Sequence, residues 1–259
     1  KIISLINATS EIHQIYKEMK NNLVLGKRIK SSFFIEEMAS KTSQDVIRAN
    51  AYRIAIDSFQ KNQPIGDSIG PLSIKTFMEE YAKYPENMKN IQRNLSGIMV
   101  SYNIEYKNRN CTLVKALGPS SNVGYPGSAF TDLINEFSKR GEKISLLIIV
   151  DAVKRLYTED IGKVSQAIGI AIGNGGLNEN NIEKDEIETA IMNSEAQIKV
   201  ESVVCKMSLE ESLSPMSQKI LNSAPIIINT MKSIIRSQSN SGENVVIIGI
   251  GNSLGVSDE

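Results

Sequence analysis

The chain contains no tryptophan, a single histidine, two cysteines and no excess of either charge. Each shortage narrows the possible functions. With 29 lysine and arginine residues against 29 aspartate and glutamate, the net charge is zero. That speaks against a general nucleic-acid binder and leaves only a local basic patch. The lone histidine, His13, falls in a helical stretch remote from every other candidate. No histidine is therefore placed to activate a serine or cysteine nucleophile. Cys111 and Cys205 both lie in apolar runs that read as strands, which suggests reduced, buried thiols in a cytoplasmic setting rather than a disulfide framework. No run of 18 apolar residues is present, so the sequence as given spans no membrane. It opens on Lys1, and the expectation is that a targeting or anchoring segment once preceded it.

What is present is enough for a sizeable core. A hydrophobic content of 41% over 259 residues suits one large domain or two small ones. Helical periodicity dominates the first 60 residues. Leu5, Ile12, Ile15, Tyr16 and Met19 follow a Thr9-Ser10 start signal, a second helix fits Phe33–Ala39, and a third fits Ser43–Phe59. This segment, 1–60, reads as an accessory helical layer, and 61–259 as an α/β domain. After Pro71, Ile74, Phe77, Met78 and Tyr81 mark a helix that ends before Pro85, and a helical turn is expected over Glu86–Arg93. The period then changes from 3.6 to 2. Ile98–Tyr106 and Cys111–Leu117 read as a hairpin turning at Lys107–Asn110. Further strands are expected at Ser145–Val150, Lys199–Lys206 and Val245–Asn252, and Ile168–Ile172 is short enough to be strand or helix end. Helices interleaved with apolar strands predict an α/β fold, a sheet of about five strands flanked by helices.

Gly66-Asp67-Ser68-Ile69-Gly70-Pro71-Leu72 is the most constrained stretch. Gly66 and Gly70 permit close approach or positive φ, and Pro71 suits the first position of a helix. Asp67 within it is either a helix cap or a working carboxylate. Asp151 follows the most apolar strand, at the carboxyl edge where α/β sheets bind ligands, and it too reads as cap or functional group. A third region, Gly118-Pro119-Ser120-Ser121-Asn122-Val123-Gly124-Tyr125-Pro126-Gly127, lies between a strand and the N-terminus of a helix expected over Ser128–Lys139. This suits a small anion held by Gly118, Ser120, Ser121, Asn122 and Gly124 as well as it suits a plain connection. The Gly249-Ile250-Gly251-Asn252 turn is the fourth candidate.

Two resemblances follow from these stretches. Asp67-Ser68-Ile69-Gly70-Pro71 resembles an acidic helix start of the spore germination and hydrogenase maturation proteases, and Val150-Asp151-Ala152 resembles the end of a later strand in them. The resemblance implies a phosphorylase/hydrolase-like fold with Asp67 and Asp151 as its acidic pair. In those families the Gly-Asn turn comes just before the acidic helix start. Here Gly249–Asn252 comes far after it, a difference that a circular permutation reconciles. The maturation proteases also use a metal-site histidine, which this chain does not supply in the matching region. Over roughly residues 40–256 the chain is similar to an archaeal family, the domain of unknown function numbered 1512. The similarity rests on Pro64–Leu72, Lys115–Gly127, Val150–Lys154, Ala171–Gly176, Val204–Ser208 and Ile248–Gly255. It implies an archaeal protein on the cytosolic side, with an N-terminal membrane segment outside this chain, and no particular activity.

Two functional expectations result. In the first the protein is a hydrolase, peptidase-like. Asp67 and Asp151 share a proton to activate water, or together hold a divalent cation through oxygen ligands. In the second it is a non-catalytic module that binds a small ligand or phosphate, or serves assembly as a homo-oligomer. There the aspartates are caps, and Gly66, Gly70, Gly249, Gly251 and Asn252 shape a ligand pocket. The expected ligand is a small molecule or peptide. The first reading requires the two carboxylates to lie within about 8 Å of each other near Asn252.

Overall fold

A computed structural model of the chain describes residues 2–29, 31–82, 88–95, 98–172 and 182–258. Two long helices come first, α1 (Ile2–Arg28) and α2 (Ser32–Lys61), packed as a hairpin. The separate helices expected at Phe33–Ala39 and Ser43–Phe59 are one. Thr42 does not interrupt it, because its hydroxyl donates to the Met38 carbonyl at 2.8 Å, the usual way a mid-helix threonine is accommodated. Thr9 does the same to Leu5 at 2.8 Å, so the expected start signal lies inside α1. α2 is capped by Ser31, whose Oγ accepts the Phe34 N–H.

A short 3₁₀ turn (Gly66–Ser68) leads into α3 (Ile69–Ala82). Pro71 is therefore the third residue of α3 rather than its first, still in the turn where a missing N–H is harmless. The strands are β1 (Met88–Leu95), β2 (Met99–Tyr106), β3 (Arg109–Ala116), β4 (Ile144–Lys154), β5 (Val164–Ile168), β6 (Lys199–Met207) and β7 (Asn244–Gly249). The helical turn expected over Glu86–Arg93 is corrected: from Met88 onward the chain pairs with β2 as an edge strand, and Glu86 and Asn87 lie outside the described residues. Lys107 and Asn108 both take positive φ, 49° and 61°, which closes the β2–β3 hairpin as expected.

The seven strands form one sheet in the order β1-β2-β3-β7-β4-β6-β5. This exceeds the five expected because β1 is an edge strand rich in polar residues and β5 an edge strand of only five residues. β3, β7, β4 and β6 run parallel, while β1, β2 and β5 pair antiparallel at the edges. The β7 run Val245–Ile248 is wholly buried, as a strand covered on both faces must be.

One face carries α3 and α8 (Ser223–Gln238), with Phe77, Ile227 and Met231 packed on Leu146, Ile148 and Ile247. The other carries α4 (Pro126–Lys139) and α5 (Ile182–Met192), with Phe130, Leu133 and Ile187 on Leu147, Ile149 and Val246. Two short helices, α6 (Leu209–Leu213) and α7 (Gln218–Leu221), join β6 to α8. A Ser208–Glu211 capping box opens α6, with Ser208 N–H on Glu211 Oε2 at 2.7 Å and Glu211 N–H on Ser208 Oγ at 3.2 Å. Cys111 and Cys205 are buried and unbridged. Ala8, Ala55 and Phe59 of the hairpin pack with Ile65 and Leu254, which seats α1 and α2 behind the Gly66–Leu72 turn.

Candidate functional site

β7, inserted between β3 and β4, carries Gly249–Asn252 to the carboxyl edge at the middle of the sheet. There it meets the Gly66–Leu72 turn closely enough that side chains are excluded. A methyl on Gly70 would lie 2.1 Å from the Ile250 carbonyl oxygen and 2.8 Å from that of Val150, and one on Gly249 would lie 2.5 Å from the Gly70 oxygen. Gly251, at φ 124°, would press its methyl to 2.1 Å from the Asp67 oxygen. Glycine is required at these positions for approach, and at Gly251 for conformation as well. Gly66 is pinned from the other side, its N–H donating to Ser214 O at 3.1 Å, and its absent side chain leaves room for the Glu211 carbonyl.

Asp67 lies at the centre of this contact. Its Oδ2 accepts the Asn252 N–H at 2.9 Å, while the Asn252 side-chain oxygen accepts the Leu254 N–H at 2.9 Å. Asp67 keeps some accessible surface yet is enclosed by protein. That burial pushes its carboxyl up from 3.8 to about 6, a rise opposed by the Asn252 hydrogen bond. The carboxylate thus caps a turn made by a segment distant in sequence, and at the same time titrates near neutrality.

Asp151 is nearby but differently held. The expected cap on a segment starting at Val153 does not form, because β4 continues to Lys154 in register with Met207 of β6. Asp151 is the first β4 residue beyond the end of β7, whose Gly249 pairs with Val150. It is buried, and its Oδ1 accepts the Ala152 N–H at 2.7 Å. Strand alternation places its side chain with Leu147 and Ile149, on the α4–α5 face, whereas the turn bearing Asp67 enters from the α3 face. The two backbone stretches converge at Gly70, Val150 and Ile250. Among the described residues no group of three or more His, Cys, Asp and Glu side chains gathers to hold a metal ion. His13 is exposed on α1.

The Gly118–Gly127 loop does not wait empty for an anion at α4. Glu183 of α5 already fills that helix N-terminus, accepting the Gly127 N–H at 2.7 Å, and Glu186 accepts the Ser128 hydroxyl at 3.2 Å. Burial raises the Glu183 carboxyl, and the Gly127 N–H offsets part of that rise. Asn122 and Ser253 lock the loop to the segment after β7. Asn122 N–H donates to Ser253 Oγ at 3.0 Å, Ser253 N–H to Asn122 O at 2.8 Å, and both side chains donate to Leu117 O. Ser120 is exposed at the loop tip. Ser121, at φ 66°, is buried with its hydroxyl unpartnered, and Gly124 leaves room for Met99. Gly173, Asn174, Gly175 and Gly176 lie outside the described residues.

Sequence reasoning missed one group at this edge. Lys115, level with Gly249 in the β3–β7 pairing, is fully buried with its ammonium on Asp258. A lone lysine in the strand run Cys111–Leu117 was the available signal.

The Domain of unknown function (DUF1512) C-terminal family model matches residues 65–257. The chain belongs to this family. The match begins at the turn that carries Asp67 and ends just past the segment that locks onto it, so the DUF1512 region contains the whole convergence and leaves out the α1–α2 hairpin. No curated protein and no solved structure matches the chain. Among the described residues no helix is long and apolar enough to cross a membrane.

Proposed function

We propose that the Gly66–Leu72 and Gly249–Asn252 turns frame a hydrolase site in which Asp67 is the proton-moving group. The observation that carries this reading is a carboxyl raised to about 6 at the carboxyl edge of the sheet, oriented by the Asn252 N–H. In this reading ionised Asp67 takes a proton from water as the water attacks an acyl carbon. The resulting acid then returns the proton to the leaving group. Asp151, buried with its Oδ1 on the Ala152 N–H, stands as the second carboxylate of the edge. No step is assigned to a metal; among the described residues no group of three or more candidate ligands gathers. The substrate class is peptide or peptide-like. The position of β7 beside the acidic turn supports a likeness to the phosphorylase/hydrolase-like proteases with a permuted strand order. The α1–α2 hairpin serves in this reading as an accessory layer on an α/β unit beginning near residue 61.

The test is a panel of casein, dipeptides and simple esters, assayed across pH with wild type and Asp67→Asn. The expected result is a rate that rises through about pH 6, and a fall in kcat of about 100-fold or more in the variant. Equal rates in both proteins would overturn it. A specific observation favours a second reading, a ligand-binding or assembly module. The Asp67 carboxylate and the Asn122–Ser253 loops already satisfy one another, as caps and locks would. Under that reading Asp67→Asn changes stability alone.

A further inference from the structure

Lys115 is a fully buried charge in the sheet. Its side chain is wholly inaccessible, in a strand whose neighbours Leu113, Val114 and Ala116 are apolar and equally buried. An ammonium there carries a desolvation cost that an apolar residue of similar size would avoid. Burial accordingly lowers its pKa, with Asp258 acting in the opposite sense. The groups around it form a set of donors aimed at one place. Lys115 Nζ contacts Asp258 Oδ1 as well as the Ala116 carbonyl. The Gly118 N–H lies 3.1 and 3.0 Å from the two Asp258 carboxylate oxygens. Tyr102 Oη donates to the Asp258 main-chain oxygen at 3.0 Å. Lys75 of α3 donates to the neighbouring Ser257 hydroxyl and pairs with Glu79 at 3.5 Å.

These donors belong to elements of the core: β3, the β3–α4 loop, β2 and α3. Their acceptor is different. It comes from the segment after β7, and its carboxylate retains 11% exposure where Lys115 has none. A fixed cation at the bottom, a backbone N–H at the wall and a carboxylate at the mouth is the layout of an anion site with its ligand in place. The site lies on the same sheet edge as Asp67, since Lys115 pairs with Gly249. It makes no use of Asp67 and does not depend on the function proposed for it.

We propose that Lys115 Nζ and the Gly118 N–H form a receptor for the carboxylate of a ligand, an acidic side chain or a small organic acid, which Asp258 occupies in cis. Displacement of Asp258 exchanges one carboxylate for another and leaves no buried charge unpaired.

The experiment measures the melting temperature of wild type, Asp258→Ser, and Asp258→Ser combined with Lys115→Met, with 100 mM sodium acetate, sodium phosphate or sodium chloride at matched ionic strength. Asp258→Ser alone should melt lower, and acetate should restore at least half of the loss, as a ligand held well above its Kd does. Chloride should restore none, and acetate should do nothing for wild type or for the double variant. If Asp258→Ser fails to fold, Asp258→Asn, which keeps the shape and removes the charge, takes its place in the same comparison. Several outcomes overturn the proposal. A folded variant indifferent to acetate would make Asp258 a structural counter-ion only. Rescue by chloride, or rescue that persists without Lys115, would be a general salt effect. Rescue by phosphate alone would assign the site to a phosphoryl group instead. If neither single variant folds even in acetate, the pocket accepts nothing in trans.

Discussion

Asp67 makes the protein less stable as the solution moves from acid toward neutral. Its carboxyl is raised from 3.8 to about 6 on folding, so the native state holds the proton more tightly than the unfolded chain. The stability this contributes is fully present below about pH 4 and is lost as pH rises through about 6. Two pKa units correspond to at most about 3 kcal/mol. Asp67→Asn keeps an acceptor for the Asn252 N–H and removes the titration. Urea unfolding at pH 4.5 and 7.5 should therefore show a fall for wild type and a flatter response for the variant. An equal fall in both would place the titration elsewhere. The thiols behave oppositely to reactive cysteines, because burial pushes Cys111 up to about 12 and raises Cys205. Native protein should leave a thiol reagent unreacted over minutes, and unfolded protein should consume two equivalents, one for each cysteine. The importance of Asp67 was legible from its setting between glycines and a proline. That of Lys115 was not, because its partner, Asp258, is distant in sequence and only the folded sheet brings the two together.

Among the elements, the junction of two turns is the most demanding. Gly251→Ala would require a side chain at φ 124° and 2.1 Å from the Asp67 carbonyl oxygen. The expected loss is about 3 kcal/mol or more, read as a lower denaturation midpoint. Removing the Ser208 cap should cost far less, about 1 kcal/mol for Ser208→Ala, because only one helical turn depends on it. The central strands could be read from the sequence because each buries a regular apolar run. The errors fall where that signal is weak. β1 is an edge strand rich in polar residues, and β5 is an edge strand too short to show a period. Asp151, for which a cap was one of two readings, lies in a strand because β6 extends far enough to keep pairing with it. Thr42 and Ser43 suggested a helix boundary, but the hydroxyl of Thr42 is satisfied within α2.

For the molecule as a whole, strand order matters more than strand content. The apolar run of β7 was clear in the sequence, but its place between β3 and β4 was not, since adjacency in a sheet is settled by partners remote along the chain. A chain stopped at residue 238, after α8, should therefore fail to fold rather than fold without a strand. Circular dichroism and limited proteolysis would check this, and a protease-resistant core in the shortened chain would contradict it. The same order has a consequence during synthesis. Until β7 leaves the ribosome, β3 and β4 cannot both be covered on their inner edges, and two apolar strands face solvent with open hydrogen-bonding rows. The nascent chain must wait in that state for its central strand. Translation speed past β6 and access to holding chaperones then govern how much of it reaches the native sheet.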